Sequence, residues 1–206
     1  VLFLVSGGAS SLVDWLQPGV TLADLQAVNR WALQSGASIA QINAARRRIS
    51  RLKGGGLARI AQGRRTHALL ISDVPGNDPR VIGSGLLHAY SATSANGHVA
   101  TTLPPALRNL MDRVDPSLQA PDEVPAVPFR IVASTGTACR AAVAAASAQG
   151  LQATVVRTRI AGDATALGVR YVAALARQPT GMVQVRAGES TVRLPEQPGR
   201  GGRNQH

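Results

Sequence analysis

Continuous apolar runs recur along the chain and are separated by longer segments with helical periodicity. Runs of this kind, with no alternation of polar residues, are typical of parallel strands buried within a sheet. The four clearest are VLFLV at 1–5, HALLIS at 67–72, FRIVAS at 129–134 and TVVRTR at 154–159. We expect the first two to be neighbouring inner strands that are covered on both faces. A final pair, GMVQVRA at 181–187 and STVRLP at 190–195, predicts a hairpin around Gly188 and Glu189.

Helical segments lie between these strands. Thr21 followed by Asp24 predicts a helix N-terminus, and that helix should end near Gly36. Further helices are predicted at 38–52, 57–63, 104–113, 136–149 and 163–177. Strand and helix in alternation indicate an α/β fold, and we expect a three-layer α/β/α arrangement with a mainly parallel, Rossmann-like sheet, plus part of a second α/β domain.

The same pattern suggests a domain organisation. Residues 1–115 are expected to form the C-terminal part of a first domain, and the proline-rich stretch 116–128 reads as a connector. Residues 129–206 would lead into a second, truncated domain. The chain begins within an apolar strand and stops at GRGGRNQH, so we expect a fragment of a longer protein.

Charge and cysteine content limit the functional classes. The 22 basic and 11 acidic residues give a net charge of +11, which keeps a basic nucleic-acid-binding module open as an alternative. However, the aromatic content of 3% leaves few side chains on which bases could stack. The single cysteine, Cys139, fits a reducing compartment, and we expect a cytoplasmic protein with no membrane span.

Two strand exits carry candidate chemistry. Ligands of open parallel sheets bind beyond the carboxyl ends of the strands. There, the chain has SGGASS at 6–11 and SDVPGND at 72–78. Glycine N–H groups and serine hydroxyls suit an anion, and Asp73 could present a carboxylate. Both exits also fit ordinary turns.

The predicted helix 38–52 has a buried arc formed by Ile42, Ala45, Ile49 and Leu52. A neighbouring stripe, at the border of that arc, consists of Asn43, Arg46, Ser50 and Lys53. Three further cations, Arg47, Arg48 and Arg51, are expected to point into solvent. Of these cations, only Arg46 and Lys53 are therefore candidates for a cleft.

Four motifs together resemble the type-II glycerate 2-kinases, the MOFRL-type enzymes that are often named hydroxypyruvate reductases. These motifs are VSGGASSL, INAARRRISRLKGGGLA, ISDVPGNDPRVIGSG and GESTVRLPEQPGRGGRNQH, and they span the chain in order. The resemblance implies phosphorylation of D-glycerate at its 2-hydroxyl with ATP and Mg²⁺. The oxidoreductase alternative, an NAD(P)-dependent hydroxypyruvate reductase, has little local support because no G-x-G-x-x-G motif joins a strand to a helix.

The resemblance also assigns roles to residues. It implies that Asp73 and Arg203 are catalytic, and that a catalytic lysine lies upstream of residue 1. The expected substrate- or phosphate-binding residues are Ser6, Gly7, Gly8, Ser10, Ser11, Asn43, Arg46, Lys53, Ser84, Gly201, Gly202 and Asn204. Magnesium would be held by Asp73 and Asp78. The only expected partner is the small-molecule substrate, while a homodimer stays open.

Several positions depart from the family pattern. Relatives often have glycine in place of Ala9, SGPT in place of residues 84–87, and an acid in place of His206. A second aspartate is usual where this chain has Asn77, which weakens a magnesium site built on two carboxylates. The remaining histidines, His67, His88 and His98, lack metal-ligand spacing and are expected on the surface or in loops.

Overall fold

A computed structural model describes residues 1–34, 39–89, 103–119 and 124–192 of the chain. It divides into two compact units, Val1–Val132 and Ala133–His206. Within the described ranges, no helix is long and apolar enough to cross a membrane. The catalytic candidate Arg203 and the binding candidates Gly201, Gly202 and Asn204 lie outside these ranges.

The first unit contains a three-stranded sheet in which β1 (Leu2–Ser6) lies beside β2 (His67–Ser72), and β2 lies beside β3 (Phe129–Ser134). β1 and β2 run parallel in a register that pairs Leu2 with His67 and Ser6 with Ile71. The predicted α/β class with parallel strands is therefore confirmed, as is the adjacency of the first two strands.

The expectation that β1 and β2 are covered on both faces is wrong for the described chain. β1 is an end strand of the sheet order, and Leu4 is 74% exposed. In β2, Ala68 and Leu70 are buried on one face while Ile71 is exposed on the other. Only one face of these two strands therefore packs against a described core.

Five helices belong to the described part of the first unit: α1 (Ala9–Leu12), α2 (Leu22–Gln34), α3 (Ile39–Arg48), α4 (Gly56–Ile60) and α5 (Pro105–Arg113). The predicted start of α2 is confirmed, because the Thr21 hydroxyl accepts from the Asp24 N–H at 3.2 Å. The Asp24 carboxylate in turn accepts from the Thr21 N–H at 2.8 Å. This is a reciprocal cap of the exposed N–H groups in the first turn.

α3 ends at Arg48, earlier than predicted. Residues 49–51 instead pair with residues 15–17, through Gln17 N–H to the Ile49 carbonyl at 3.0 Å and Arg51 N–H to the Trp15 carbonyl at 2.8 Å. These bonds, together with the antiparallel bridge of Leu16 and Ser50, draw the chain out of helical geometry. The end of α3 is thus set by a tertiary contact.

The first unit has two hydrophobic cores. The helical core contains Val28, Trp31, Ala44, Ala45, Ile49, Leu103, Leu107, Leu110, Met111 and Val114. The sheet core contains Leu52, Ala58, Ala68, Leu70, Ile82, Leu86, Leu87, Val124 and Val127. The predicted buried arc is confirmed, with Ala45 and Ile49 in the helical core and Leu52 in the sheet core. The segment after α3 therefore passes from one core to the other.

The second unit contains α6 (Thr135–Ala148), β4 (Gln152–Val155), α7 (Ala164–Leu175) and β5 (Met182–Val185). β4 and β5 run parallel, and the same parallel path continues through bridges of Ile160 with Gly188 and Asp163 with Thr191. The predicted hairpin is therefore wrong in its described part, since the chain after β5 pairs with residues 160–163 and does not fold back on β5. Residues 193–195 lie outside the described ranges.

Candidate active site

The carboxyl ends of β1 and β2 meet at one edge of the sheet. The register that pairs Ser6 with Ile71 brings the residues that follow, Gly7 and Gly8 after β1 and Asp73 after β2, to this edge. Parallel strands present such exits together, which is why the sequence predicted their convergence. We call Ser6–Ser11, Asp73 and the turn Ile82–Gly85 the strand-end site.

Asp73 lies directly against the backbone of Gly7. A Cβ atom added at Gly7 would overlap with both oxygens and the Cγ atom of the Asp73 carboxylate. Only glycine permits this approach. Asp73 is exposed, and its carboxylate has no hydrogen-bond partner among the residues that the structure describes. The carboxylate is therefore placed by the loop and left open to a ligand.

The loop after β1 has an open surface. Gly8 has no atom within 4 Å of the position where a Cβ would stand. Within the described ranges, the N–H groups of Gly7 and Gly8 donate no backbone hydrogen bond, while the Gly8 carbonyl accepts from the Ser11 hydroxyl at 2.8 Å. Open N–H groups beside glycine are suited to bind an anionic oxygen.

The turn after β2 separates the two acidic residues of the predicted metal pair. Ser72 is buried, and its hydroxyl accepts from the Val74 N–H at 3.3 Å. The Asp78 carboxylate accepts from the Nε of Arg80 at 2.9 Å and from its Nη2 at 2.8 Å. These bonds hold the pKa of Asp78 below its ordinary value. Asp78 is therefore engaged by an arginine, whereas Asp73 is open.

The turn Ile82–Gly85 closes the other side of the strand-end site. A Cβ at Gly83 would stand 3.2 Å from the Val5 Cγ1 atom and 3.7 Å from the Ser6 carbonyl oxygen. Ser84 is buried and has φ of 59°, a left-handed conformation that is uncommon for a residue other than glycine. Such a conformation is often found where a functional site fixes the backbone.

The glycines at 54–56 do not contact this open edge with their N–H groups. Gly54 N–H donates to the Ser84 carbonyl at 3.1 Å, and Gly55 N–H donates to the Gly85 carbonyl at 2.6 Å. Leu57 N–H donates to the Leu86 carbonyl at 3.1 Å. We call these paired segments, 54–57 and 84–86, the glycine clasp. It packs backbone against backbone behind the site.

Lys53 precedes the clasp and is buried. Its ammonium forms an ion pair with Asp14 and donates to the Val13 carbonyl at 3.4 Å. Ser50 donates from its hydroxyl to the other Asp14 oxygen at 2.5 Å. Burial lowers the pKa of Lys53, and the hydrogen bond that its ammonium donates to Asp14 acts against that shift. The ammonium that was expected to bind phosphate is thus engaged by a carboxylate.

The other predicted cations are also engaged within the protein. Arg46 donates through Nε and Nη2 to the Asn29 side-chain oxygen, at 3.0 and 2.7 Å. Arg48 donates to the Met111 carbonyl at 3.2 Å, and the Arg51 guanidinium lies 4.0 Å from the centre of the Trp15 ring. The expectation that Arg48 and Arg51 point into solvent is wrong, because both are drawn onto neighbouring segments.

Sequence reasoning missed two residues near the site. Asp14 was not selected, although an isolated acid within the apolar segment LVDWL could have been matched with Lys53, the only lysine of the chain. His88, expected on the surface or in a loop, lies in a loop and is buried, and its Nε2 lies 3.1 Å from the Val127 carbonyl oxygen. Its ring also packs edge-on against the Phe129 ring, with 5.0 Å between the ring centroids. Cys139 is buried.

The remaining candidates are distributed as follows. Ser10 is half-buried in α1, Ser6 and Ser11 are exposed, and Asn43 is half-buried on α3. In the described part of the chain, no group of three or more His, Cys, Asp or Glu residues could hold a metal ion.

Known proteins resemble this chain along its whole length. A protein from Agrobacterium vitis provisionally named hydroxypyruvate reductase is 36% identical over 99% of the chain and 56% of its own length. The glycerate 2-kinase of Pyrococcus horikoshii is 31% identical over 100% of the chain and 50% of its own length. The chain thus spans about half the length of these curated relatives.

A solved structure gives the same result. The glycerate kinase of Thermotoga maritima superposes with a TM-score of 0.71 at 28% identity, over 100% of this chain and 51% of that one. The family model described as a domain of unknown function, DUF4147, matches residues 1–120. That match covers more than half of the chain, and the chain belongs to the DUF4147 family, which confirms its resemblance to the glycerate kinases.

Proposed function

We propose that the protein containing this chain transfers the γ-phosphoryl group of ATP to the 2-hydroxyl of D-glycerate. The observation that carries the proposal is the open Asp73 carboxylate placed on Gly7, at the point where the N–H groups of Gly7 and Gly8 are exposed. The names of the Pyrococcus and Thermotoga relatives support the substrate class. A carboxylate for a hydroxyl and N–H donors for an anion are the groups that this reaction requires.

Asp73 serves as the general base in this proposal. A 2-hydroxyl is a weak nucleophile, so a carboxylate within hydrogen-bond reach orients it and takes its proton as the new O–P bond forms. The exposed carboxylate suits this role because no described residue holds it. Its position is fixed through Gly7, which helps to align the hydroxyl with the phosphoryl group.

The glycine and serine groups of the loop bind the anionic oxygens of the substrates. The N–H groups of Gly7 and Gly8, with the hydroxyls of Ser6 and Ser10, form the donor set, and the Ser11 hydroxyl would join it on leaving the Gly8 carbonyl. Preorganised donors of this kind stabilise the charge that is spread over the transferred phosphoryl oxygens. Arg203 would add bidentate donors to that charge, with Gly201, Gly202 and Asn204 shaping its turn.

Magnesium fits this site only with few protein ligands. Mg²⁺ typically retains waters and binds one or two carboxylates together with the phosphates. Asp73 offers an open carboxylate, whereas Asp78 is held by Arg80. When bound, the ion would neutralise charge on the ATP phosphates. Because Asp73 acts as the base in this proposal, Asp78 would be the protein ligand of the ion, and only if Arg80 releases it.

The test uses the protein expressed from the complete reading frame that encodes this chain. D-glycerate and Mg-ATP should yield 2-phosphoglycerate, identified by ³¹P NMR. Asp73→Asn should lower kcat by about 10²-fold or more, the effect expected of a lost general base, with a much smaller change in ATP affinity. An equal loss of ATP binding with little change in kcat would make Asp73 a metal ligand or a structural residue.

Two further results would redirect the proposal. Oxidation of NADH or NADPH by hydroxypyruvate, without phosphoryl transfer, would favour the reductase activity that some relatives' names suggest. Turnover by the 206-residue chain alone would show that the parts of the complete protein outside this chain are dispensable for activity. We expect the chain alone to be inactive. We expect the complete protein to be a cytoplasmic enzyme that acts on a small molecule.

A further inference from the structure

A closed circuit of contacts surrounds the strand-end site. Gly7 and Gly8 lead through α1 to Val13 and Asp14, which contact the Lys53 ammonium. After Lys53 comes the glycine clasp, in which Gly54 binds Ser84. The turn that contains Ser84 then returns to Val5 and Ser6 through Gly83. The loop that carries the open N–H groups is thus fixed at both ends.

Lys53 occupies the one point of this circuit where the contact is a charged side-chain pair. Its side chain is 2% exposed, and that of Asp14 is 14% exposed. Two backbone N–H groups, those of Leu52 and Lys53, donate to the Ser50 hydroxyl at 3.2 Å, and that hydroxyl donates to Asp14. Trp15 N–H also donates to Asp14, at 3.0 Å. The Asp14 carboxylate is therefore the node between residues 13–17 and 50–53.

We infer that Lys53 is a positioning residue that fixes the Gly7–Gly8 loop through Asp14, and not a phosphate ligand. Its ammonium is turned toward Asp14 and Val13 inside the protein. A buried charge that loses its partner is costly, so the pair holds its geometry firmly. Removal of either charge should release α1 and, with it, the loop that places Asp73. The kinetic part of this inference rests on the proposed function, but the structural part does not.

The first test follows the Lys53 ammonium by NMR. The complete protein is produced with [¹³Cε]-lysine, and the Lys53 resonance is assigned by its loss in Lys53→Met. We expect this resonance to keep its position when Mg-ATP is added. Its titration midpoint should fall in Asp14→Asn, because the carboxylate favours the charged ammonium while Arg46 and burial disfavour it. A resonance that moves with Mg-ATP and titrates alike in wild type and Asp14→Asn would overturn the inference.

The second test is a double-mutant cycle measured by steady-state kinetics. Lys53→Met and Asp14→Asn should each lower kcat by about tenfold or more while the KM for ATP changes by less than about threefold. The double variant should lose no more than Lys53→Met alone, since both changes break the same contact. Arg64→Met and Asp112→Asn, at exposed positions, are the matched controls for charge loss. Additive losses, or a large rise in the KM for ATP at Lys53→Met only, would contradict the positioning role.

The two proposals fail separately. If no hydroxy acid is phosphorylated, the Lys53 resonance still reports whether its ammonium is bound to Asp14. If phosphorylation occurs but the resonance follows Mg-ATP, the activity stands and the positioning role does not. The wild-type measurement with and without Mg-ATP requires no destabilising substitution, so it remains decisive if Asp14→Asn fails to fold.

Discussion

Two glycine-rich stretches of this chain look alike in sequence and differ in the structure. Gly7 and Gly8 follow a strand, leave their N–H groups without described backbone acceptors, and bring a carboxylate onto the Gly7 backbone. Gly54 and Gly55 follow α3 and direct their N–H groups to the carbonyls of Ser84 and Gly85. We propose that the first stretch receives a ligand, whereas the second joins two segments of the protein.

The difference shows what a glycine contributes in each case. At Gly7 the missing side chain makes room for Asp73, and the backbone conformation is one that any residue can adopt. At Gly55, φ is 94° and the Ala89 backbone lies 3.0 Å from the position of a Cβ. Space is the requirement at the site, while both space and a left-handed backbone are required in the clasp.

The largest expected effect is on activity at Gly7. Gly7→Ala would force the Asp73 carboxylate aside, so kcat should fall by about 10²-fold, as for loss of the base itself. The exposed Asp73 side chain can move at little cost, and the free energy of unfolding should change by less than about 1 kcal/mol. Steady-state kinetics and urea unfolding measure the two quantities.

Gly8→Ala is the comparison for Gly7→Ala, because a Cβ at Gly8 meets no atom within 4 Å. Its kcat should exceed that of Gly7→Ala by at least about tenfold, since the carboxylate keeps its place. Equal losses in both variants would mean that the loop, and not the position of Asp73, limits the reaction.

A substitution in the clasp should act on stability. Gly55→Ala combines a left-handed residue with a backbone overlap, and each such strain costs about 1–3 kcal/mol. Gly63→Ala isolates the conformational part, because Gly63 has φ of 77° and open space around it. Gly55→Ala should therefore be the more destabilised of the two in urea unfolding. A larger loss of stability in Gly63→Ala than in Gly55→Ala would show that the backbone around Gly55 has room for a side chain.

Acid should lower the stability of the protein through His88. His88 follows the clasp, and burial lowers the pKa of its imidazole below 6.5. The unfolded chain then binds the proton more readily, so stability is lost as pH falls through 6.5 toward the folded-state pKa. This loss of stability should be smaller in His88→Gln. The exposed His67→Gln should behave as wild type, and an identical pH profile in all three proteins would exclude His88 as the cause.

The smallest effects belong to the arginines of α3 and its neighbours. Arg46→Ala removes the bonds to Asn29 in the helical core region and should cost about 1 kcal/mol of stability. Its effect on the KM for ATP should be slight, because Arg46 is not part of the strand-end site. Arg64→Ala, on the surface, should stay within ~0.5 kcal/mol of wild type. A large change in the KM for ATP at Arg46 would restore its predicted role in phosphate binding.

Much of the fold could be predicted because local signals agreed with it. The apolar run at 67–72 and the paired Thr21 and Asp24 are strong local patterns, and β2 and α2 begin where they indicate. The length of α3 could not be predicted, since a contact with residues 15–17 ends it. The prediction of a hairpin after β5 is wrong for the same reason, because residues 160–163 provide an alternative pairing partner.

The candidate site was predictable only in part. Strand exits converge by topology, so Gly7 and Asp73 could be placed together from the sequence. The partner of Lys53 had only a weak signal, the isolated acid Asp14 within LVDWL, because Asp14 lies far away along the chain and a helical projection assigns a face without a partner. The arginines show the same limit, since Arg48 and Arg51 bind segments that no periodicity reveals.

Hydrogen exchange followed by mass spectrometry tests the contrast between the two glycine stretches most directly. In the free protein, the hydrogen-bonded amides of the glycine clasp should exchange slowly, and those of Gly7 and Gly8 should exchange fast. Mg-ATP with D-glycerate should slow exchange in peptides that cover residues 6–11 and leave peptides that cover 54–58 unchanged. Protection that appears only in the clasp, with residues 6–11 unaffected, would contradict the assignment of the strand-end site.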